Sequence, residues 1–271
     1  MANNIYSISE NLEEFAQTVN ENWEKGYVLM DAESGDDNIF GVFEKRNEPS
    51  GYIARNSYDE LKTGISNGWS QGYSIAAAEY VDGVWLGVFE EKDSDSRIAH
   101  SNSAVTLDRL TGQIRSHQNN GLKLVDVEYS NGGWVGIYGK KFGANGYGIA
   151  DSLEEFNSQL NSQTNQGLGK DLVGVEYGDG KWFGIYHNTP SFSGYSVAGS
   201  LDEFETQIAN WEEYGYELVD VAHGDGTWMG VYEITTSYSL DLYFSTGLVE
   251  HQMAMEGIRA VSAGADSLSS F

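Results

Sequence analysis

Cysteine is absent from this chain of 271 residues. That removes disulfides, thiolate nucleophiles and cysteine-ligated zinc at once. Basic residues are scarce: 15 lysines and arginines stand against 41 acidic residues, a net charge of −26. Such a surface repels phosphate backbones and anionic lipid, so nucleic-acid binding is not expected as a main role. No apolar run approaches the length of a membrane span, and membrane insertion is not expected. The opening stretch MANNIYSISENLEEF has neither a basic n-region nor an apolar stretch, so it does not read as a secretory signal peptide. The histidines, His100, His117, His187, His223 and His251, are dispersed, with no H-x-H or H-x-x-x-H pair to suggest zinc. Acidic clusters at Asp36-Asp37 and Asp93-Ser94-Asp95 do not continue into an EF-hand loop. No cofactor is expected, with calcium the one ion that the acidic composition leaves open.

What the chain does have is repetition. The clearest unit runs from Gly194 to Glu233, GYSVAGSLDEFETQIANWEEYGYELVDVAHGDGTWMGVYE. Its second half recurs from Gly26, Gly72, Gly121, Gly169 and Gly215, starts that lie 46 to 49 residues apart. A period in that range marks a supersecondary unit that buries its apolar face against neighbours. Five linked units argue for one integrated body over residues 1–237, followed by a C-terminal extension over 238–271.

Each unit reads as strand, helix, strand, strand. The helices are predicted at 11–24, 58–70, 106–119, 153–166 and 201–213. Ser57 with Glu60, Ser152 with Glu155 and Ser200 with Glu203 form capping-box pairs, and Asn11 with Glu14 is a looser version. Asp82-Gly83, Asn131-Gly132, Asp179-Gly180 and Asp225-Gly226 are two-residue hairpin turns, and the first unit departs with Asp36-Asp37. The first two strands of each unit are expected to run parallel through a right-handed crossover, the third pairing antiparallel. Closure of five units into a ring would remove exposed edges, with the stretch from Tyr238 to Phe244 as a spare strand against the first unit. The fold class expected is a closed, five-bladed α/β propeller of β-α-β-β repeats, with a C-terminal strand and helix.

Period-two alternation places Val219, Val221, Met229 and Val231 beneath the helix. It places Leu218, Asp220, Trp228, Gly230 and Tyr232 on the opposite face. The glycines Gly41, Gly87, Gly136, Gly184 and Gly230 recur inside the last strand, so another backbone or ring must pack close to them. The opposite face collects the candidate binding residues: Trp85, Trp134, Trp182 and Trp228, with Glu33, Glu79, Glu128 and Glu176, and Asp31, Asp126 and Asp220. Aromatic rings beside carboxylates are what a sugar site uses, the rings stacking and the carboxylates accepting hydroxyl bonds. The plainer account of the acids is a solvated coat, and of the aromatics, packing between units. No specific pair of carboxylates stands out as a catalytic acid and base.

Two resemblances follow from these residues. Three strands and a helix in five-fold repetition resemble the pentein architecture, which includes guanidine-modifying enzymes and a ribosome anti-association factor. The amidino-hydrolases of that group use a catalytic cysteine, which this chain lacks. The W-x-x-G-Y stretches at Trp23–Tyr27 and Trp69–Tyr73, with D-G-x-W-x-G-V after them, are similar to a repeat of unknown function found after some plant casein-kinase-like kinase domains. That resemblance covers most of residues 5–233 and implies no chemistry.

Gly64-Ile65-Ser66-Asn67-Gly68 matches G-x-S-x-G but falls within the second helix, not at the strand-to-helix turn a nucleophile elbow needs. The tail, small and polar after Ser262, resembles in composition the uncleaved C-terminal signals of bacterial one-step secretion substrates. The function expected is that of a non-enzymatic binding or scaffolding protein presenting a repeated surface to glycan or protein. The alternatives are a hydrolase with its site in the channel and a structural subunit that self-assembles. The compartment expected is extracellular, with the cytoplasm as alternative.

Overall fold

The computed structural model describes residues 3–46, 50–91, 98–100, 105–140, 146–165, 170–188 and 193–234. The first unit is β1 (Asn4–Ser9), α1 (Leu12–Glu24), β2 (Tyr27–Gly35) and β3 (Asn38–Lys45). The second is β4 (Ser50–Arg55), α2 (Tyr58–Ser70), β5 (Tyr73–Val81) and β6 (Val84–Glu91). The third is β7 (Ile98–His100), α3 (Leu107–Asn119), β8 (Lys123–Ser130) and β9 (Gly133–Gly139). The fourth is β10 (Gly146–Ala150), α4 (Leu153–Asn165), β11 (Asp171–Gly178) and β12 (Lys181–His187). The fifth is β13 (Ser193–Ala198), α5 (Leu201–Glu213), β14 (Tyr216–Gly224) and β15 (Thr227–Ile234). The C-terminal extension, including the expected spare strand and helix, lies outside the described residues.

Local chemistry builds these elements as expected. Asn11, Ser57, Ser152 and Ser200 accept the backbone N–H of the glutamate three residues on. Each of those glutamates reaches back to the N–H just before the cap, at Glu10, Asn56, Asp151 and Gly199. The hairpin residues Asp36, Asp37, Asp82, Asn131, Asp179 and Asp225 take positive φ of 44–59°. That is the geometry of a tight turn whose twist matches the strands.

The first and second strands of each unit run parallel to each other and antiparallel to the third, as expected, but they are not neighbours. Each sheet runs first-third-second, β1-β3-β2 in the first unit and likewise in the others, and all pairing is antiparallel. The third strand of every unit lies between the other two, so the crossover helix skips a position. The expected closed α/β propeller ring is corrected by the same finding. Among the described residues the strands form five separate three-stranded sheets, none closed or curled, and no strand ladder joins one unit to the next.

Side chains join the units instead. Helix α5 packs Phe204, Ile208 and Trp211 on its own sheet, and the same core takes in Phe40 and Val42 of the first unit. The third unit's core likewise takes in Phe183 and Ile185 of the fourth, and the fourth unit's core Ala222, Met229 and Val231 of the fifth. The second strands also lie against one another, β2 with β5, β5 with β8, β8 with β11, β11 with β14, and β14 with β2.

The facing of the strands is inverted relative to the alternation. Trp228, Gly230 and Tyr232 lie against α5: Phe204 stacks on Trp228 at 5.8 Å, and Trp211 on Tyr232 at 4.8 Å. Met229 and Val231 face the fourth unit instead. β15 alternates without a slip, so its facing follows from which side the helix covers; in β14, by contrast, pairing with β15 slips by one residue between Leu218 and Asp220. Such a bulge flips every later side chain to the other face. Leu218 and Val221, three apart, therefore share the helix side, and Val219 does not. The slip recurs at Leu29/Asp31, Ile75/Ala77, Leu124/Asp126 and Leu172/Gly174.

The recurrent glycines are close-packing positions. A Cβ at Gly184 would sit 2.7 Å from Phe156 Cζ, and one at Gly230 would sit 2.8 Å from Phe204. Gly184→Val is expected to lower stability by about 1–3 kcal/mol, the usual cost of overpacking against a ring that can yield only in part. Urea unfolding measures it, and an unchanged midpoint would show that Phe156 moves aside freely.

Candidate functional site

The bulge decides where the carboxylates go. It turns Asp31, Asp126 and Asp220 away from their own helices and toward the neighbouring second strand. Asp31 accepts the N–H of Val221, Asp126 that of Ala78 at 3.1 Å, and Asp220 that of Val175 at 2.8 Å. The donor always belongs to the preceding unit, the fifth preceding the first. These are edge N–H groups of the second strands, so aspartate does for an edge what a further strand would otherwise do. The second and fourth units carry Ala77 and Gly174 at this position. Beside Gly174 the second oxygen of Asp220 comes within 3.3 Å of where a Cβ would stand.

Two residues further along, the glutamates join the same cluster. Glu176 accepts the N–H of Tyr129 at 3.3 Å. Glu33 accepts the N–H of Ser34 at 2.8 Å and the backbone N–H of His223. Glu79 shares a hydrogen bond with Asp31. Two carboxyl groups can do this only when one holds a proton. Glu128 is 7% exposed, and no donor among the described residues reaches it. The fifth unit has Ala222 at this position.

These seven carboxyls are not a solvated coat. Asp31, Glu79, Glu128 and Glu176 are buried, and Glu33, Asp126 and Asp220 are half-buried. No lysine, arginine or histidine side chain among the described residues pairs with any of them. Desolvation therefore pushes every one upward, and mutual repulsion adds to it. Asp126 rises to about 6, Asp31 to about 7 and Glu33 to about 8. Glu79, Glu128, Glu176 and Asp220 are raised well above their ordinary values by the same burial. Among the described residues, no group of three or more His, Asp or Glu side chains converges so as to hold a metal ion. The carboxyls are spread over five units, and most are already engaged by N–H groups.

The tryptophans lie elsewhere. Trp85, Trp134 and Trp182 are each 1% exposed and Trp228 is 0% exposed. All four are packed in the cores between helix and sheet. The structure thus separates two sets that the alternation had placed together: the rings sit under the helices, the carboxyls among the second strands. Ser66 of the G-x-S-x-G match is exposed inside α2 and donates to Lys62 O at 3.0 Å, the back-bond of an ordinary helical serine.

Above the carboxyls opens a cavity of about 440 Å3. Each unit contributes its bulged residue to the wall: Met30, Ala76, Val125, Val173 and Val219. Asp126 and Asp220 line it, as do Glu44, Glu217 and Glu233, Asn3 and Asn4, with Leu29, Ala77 and Ile234 among the apolar residues. The sequence signal for this wall was overlooked. Leu218, Val219 and Val221 are all apolar around one aspartate, a pattern that strict alternation cannot place on a single face.

No protein-family model matches the chain, and no curated protein sequence matches it. No helix among the described residues is long and apolar enough to cross a membrane.

Proposed function

We propose that this protein is a non-enzymatic binding module whose ligand position is the cavity where the five bulges meet. The observation that carries this reading is the wall itself: five apolar residues, one from each unit, enclose a space in the roughly 300–1,000 Å3 range of small-molecule sites. A few convergent polar groups beside apolar walls are the usual composition of such a site. A repeated carbohydrate surface is the weaker form of the proposal, because a sugar would need an exposed ring and the four tryptophans are covered.

The hydrolase alternative draws on Asp31 and Glu79, two carboxyls sharing one proton, as paired catalytic acids do. Neither residue lines the cavity, so neither touches what would occupy it. The acidic composition and the small, polar tail after Ser262 support an extracellular setting as part of the same proposal.

The test is a thermal-shift panel of neutral sugars, organic anions and organic cations on the full chain and on Ala76→Phe. Ala76 is a half-buried wall residue, so the larger ring fills the cavity. At least one class should raise the melting temperature by mass action, and the shift should vanish in the filled variant. Val125→Phe is the second variant should Ala76→Phe fail to fold. No shift from any class, or a shift that survives filling, sinks the reading in favour of a plain scaffold.

A further inference from the structure

We infer that the cavity takes a short aliphatic diamine, one ammonium at the Asp126/Asp220 end, the methylenes against the bulge residues, and the second ammonium at Glu233 and Glu217. This rests on the cavity being the binding position. Four observations carry it further than a bare binding site.

The polar groups of the lining are acceptors of one sign at two places. Asp126 and Asp220 stand at one, Glu44, Glu217 and Glu233 at the other, and among the described residues no lysine, arginine or histidine lines the space. Asn3 and Asn4 are the other polar side chains of the lining, and the Asn4 amide already donates to Leu218 O, so an anion would meet mainly acidic groups and a neutral sugar would leave them without counter-charge.

Acceptor capacity is free at both ends. Asp220 gives Oδ1 to Val175, and its other oxygen has no donor among the described residues. Glu233 is half-buried with no donor among the described residues, whereas Glu44 is already paired with Arg46 and Glu217 holds the N–H of Asn3. An ammonium supplies three donors and a full charge to each end.

The wall between the ends is aliphatic, made of Met30, Val125, Val173 and Val219 with Leu29. Methylenes gain by leaving water there. Among the described residues no aromatic ring lines the cavity, so a quaternary ammonium, which favours aromatic cages, fits less well.

Finally, Glu128 is an orphan. It is buried, without a donor among the described residues, and it faces Glu176, Glu79, Glu33 and Asp126. Glu128 does not itself line the cavity; its state shows that the carboxyl cluster adjoining Asp126 has no positive partner among the described residues.

Titration calorimetry on the full chain would use 1,5-diaminopentane, 1-aminopentane, 1-pentanol and calcium chloride as separate probes. The expected order is diamine tightest, monoamine at least tenfold weaker, and the alcohol not detectable. Asp220→Asn should weaken both amines tenfold or more. Its amide keeps the acceptor for Val175, so the fold should hold, and a melt in the absence of ligand checks that. Glu233→Gln should weaken the diamine alone. Equal binding of the alcohol, calcium reproducing the diamine's heat, or amines unaffected by Asp220→Asn would overturn the proposal. If the amines fail while another class stabilises wild type but not Ala76→Phe, the cavity remains the site and only the ligand class is wrong. If nothing binds, both readings fail together.

Discussion

Raising the pH from about 5 to about 9 is expected to lower the melting temperature of this protein by roughly 10 °C or more. The cause is the buried carboxyl cluster, and the sign follows from the direction of its shifts. In the unfolded chain these groups titrate near their ordinary values of 3.8 and 4.5. In the folded protein Asp126, Asp31 and Glu33 titrate near 6, 7 and 8, and the other four are raised as well. A raised folded value means the native state holds protons that the unfolded chain has released. The contribution is therefore fully present below about pH 4 and is lost as pH climbs through the folded values.

Glu128→Gln separates this from general repulsion in a chain of net charge −26. The amide keeps the shape and removes an ionisable group that has no hydrogen-bond donor to lose among the described residues. At pH 8 it should melt several degrees above wild type, and its pH slope should flatten. Glu154→Gln, on the exposed side of α4, is the control and should do neither. A flat melting temperature between pH 5 and 9, or equal effects of the two variants, would falsify the idea of a proton-loaded cluster.

Gly224→Ala is expected to cost about 3 kcal/mol, more than most single methyl additions. Gly224 ends β14, and the ring of Tyr177 from the fourth unit lies flat on it; an added Cβ would land on Tyr177 Cγ. A clash at Cγ differs from one at a ring's far edge. Cγ is relieved only if χ1 leaves its rotamer or the strand shifts, and either takes the whole ring off its contact, whereas a ring's far edge can yield by a small tilt. The same interlock places Tyr129 on Gly178 and His223 on Gly35, so one motif couples third to fourth, fourth to fifth and fifth to first units.

Denaturant unfolding of Gly224→Ala, Tyr177→Ala and the double variant tests the contact. The double variant should be more stable than the sum of the single losses predicts, because the added methyl fills space the ring vacates. Gly112→Ala, inside α3 with nothing within 4 Å of the new Cβ, should instead gain about 0.5–1 kcal/mol. Additive losses would mean that Tyr177 is not what excludes a side chain at Gly224.

Locally coded features were legible in the residues. Ser200 and Glu203 cap α5 through bonds three residues long, and Asp225-Gly226 turns a hairpin through its own backbone angles. Five helices and their hairpins follow from such signals because every partner lies within a few positions. The recurrent glycine of the last strand was legible too, as a demand for close approach, although the approaching group proved to be the unit's own helix side chain, Phe204 at Gly230 and Phe156 at Gly184.

What only the tertiary structure decided begins at the bulge. One unpaired residue, Val219, inverts the faces of its strand, and alternation cannot register it because each residue keeps its type while its direction changes. That inversion sends Asp220 across to Val175 of another unit, while Trp228, on the unslipped strand β15, lies under α5. Strand order was equally invisible: a hairpin partner pairs antiparallel whether it lies inside or outside the first strand, so the repeat could not say that the third strand sits between the others. The chain by itself determined that five similar units would each fold a helix on a hairpin and that the acids would recur in register. Whether those acids met water or one another depended on contacts between residues as far apart as Asp31 and Val221, and such contacts exist only once the units have packed.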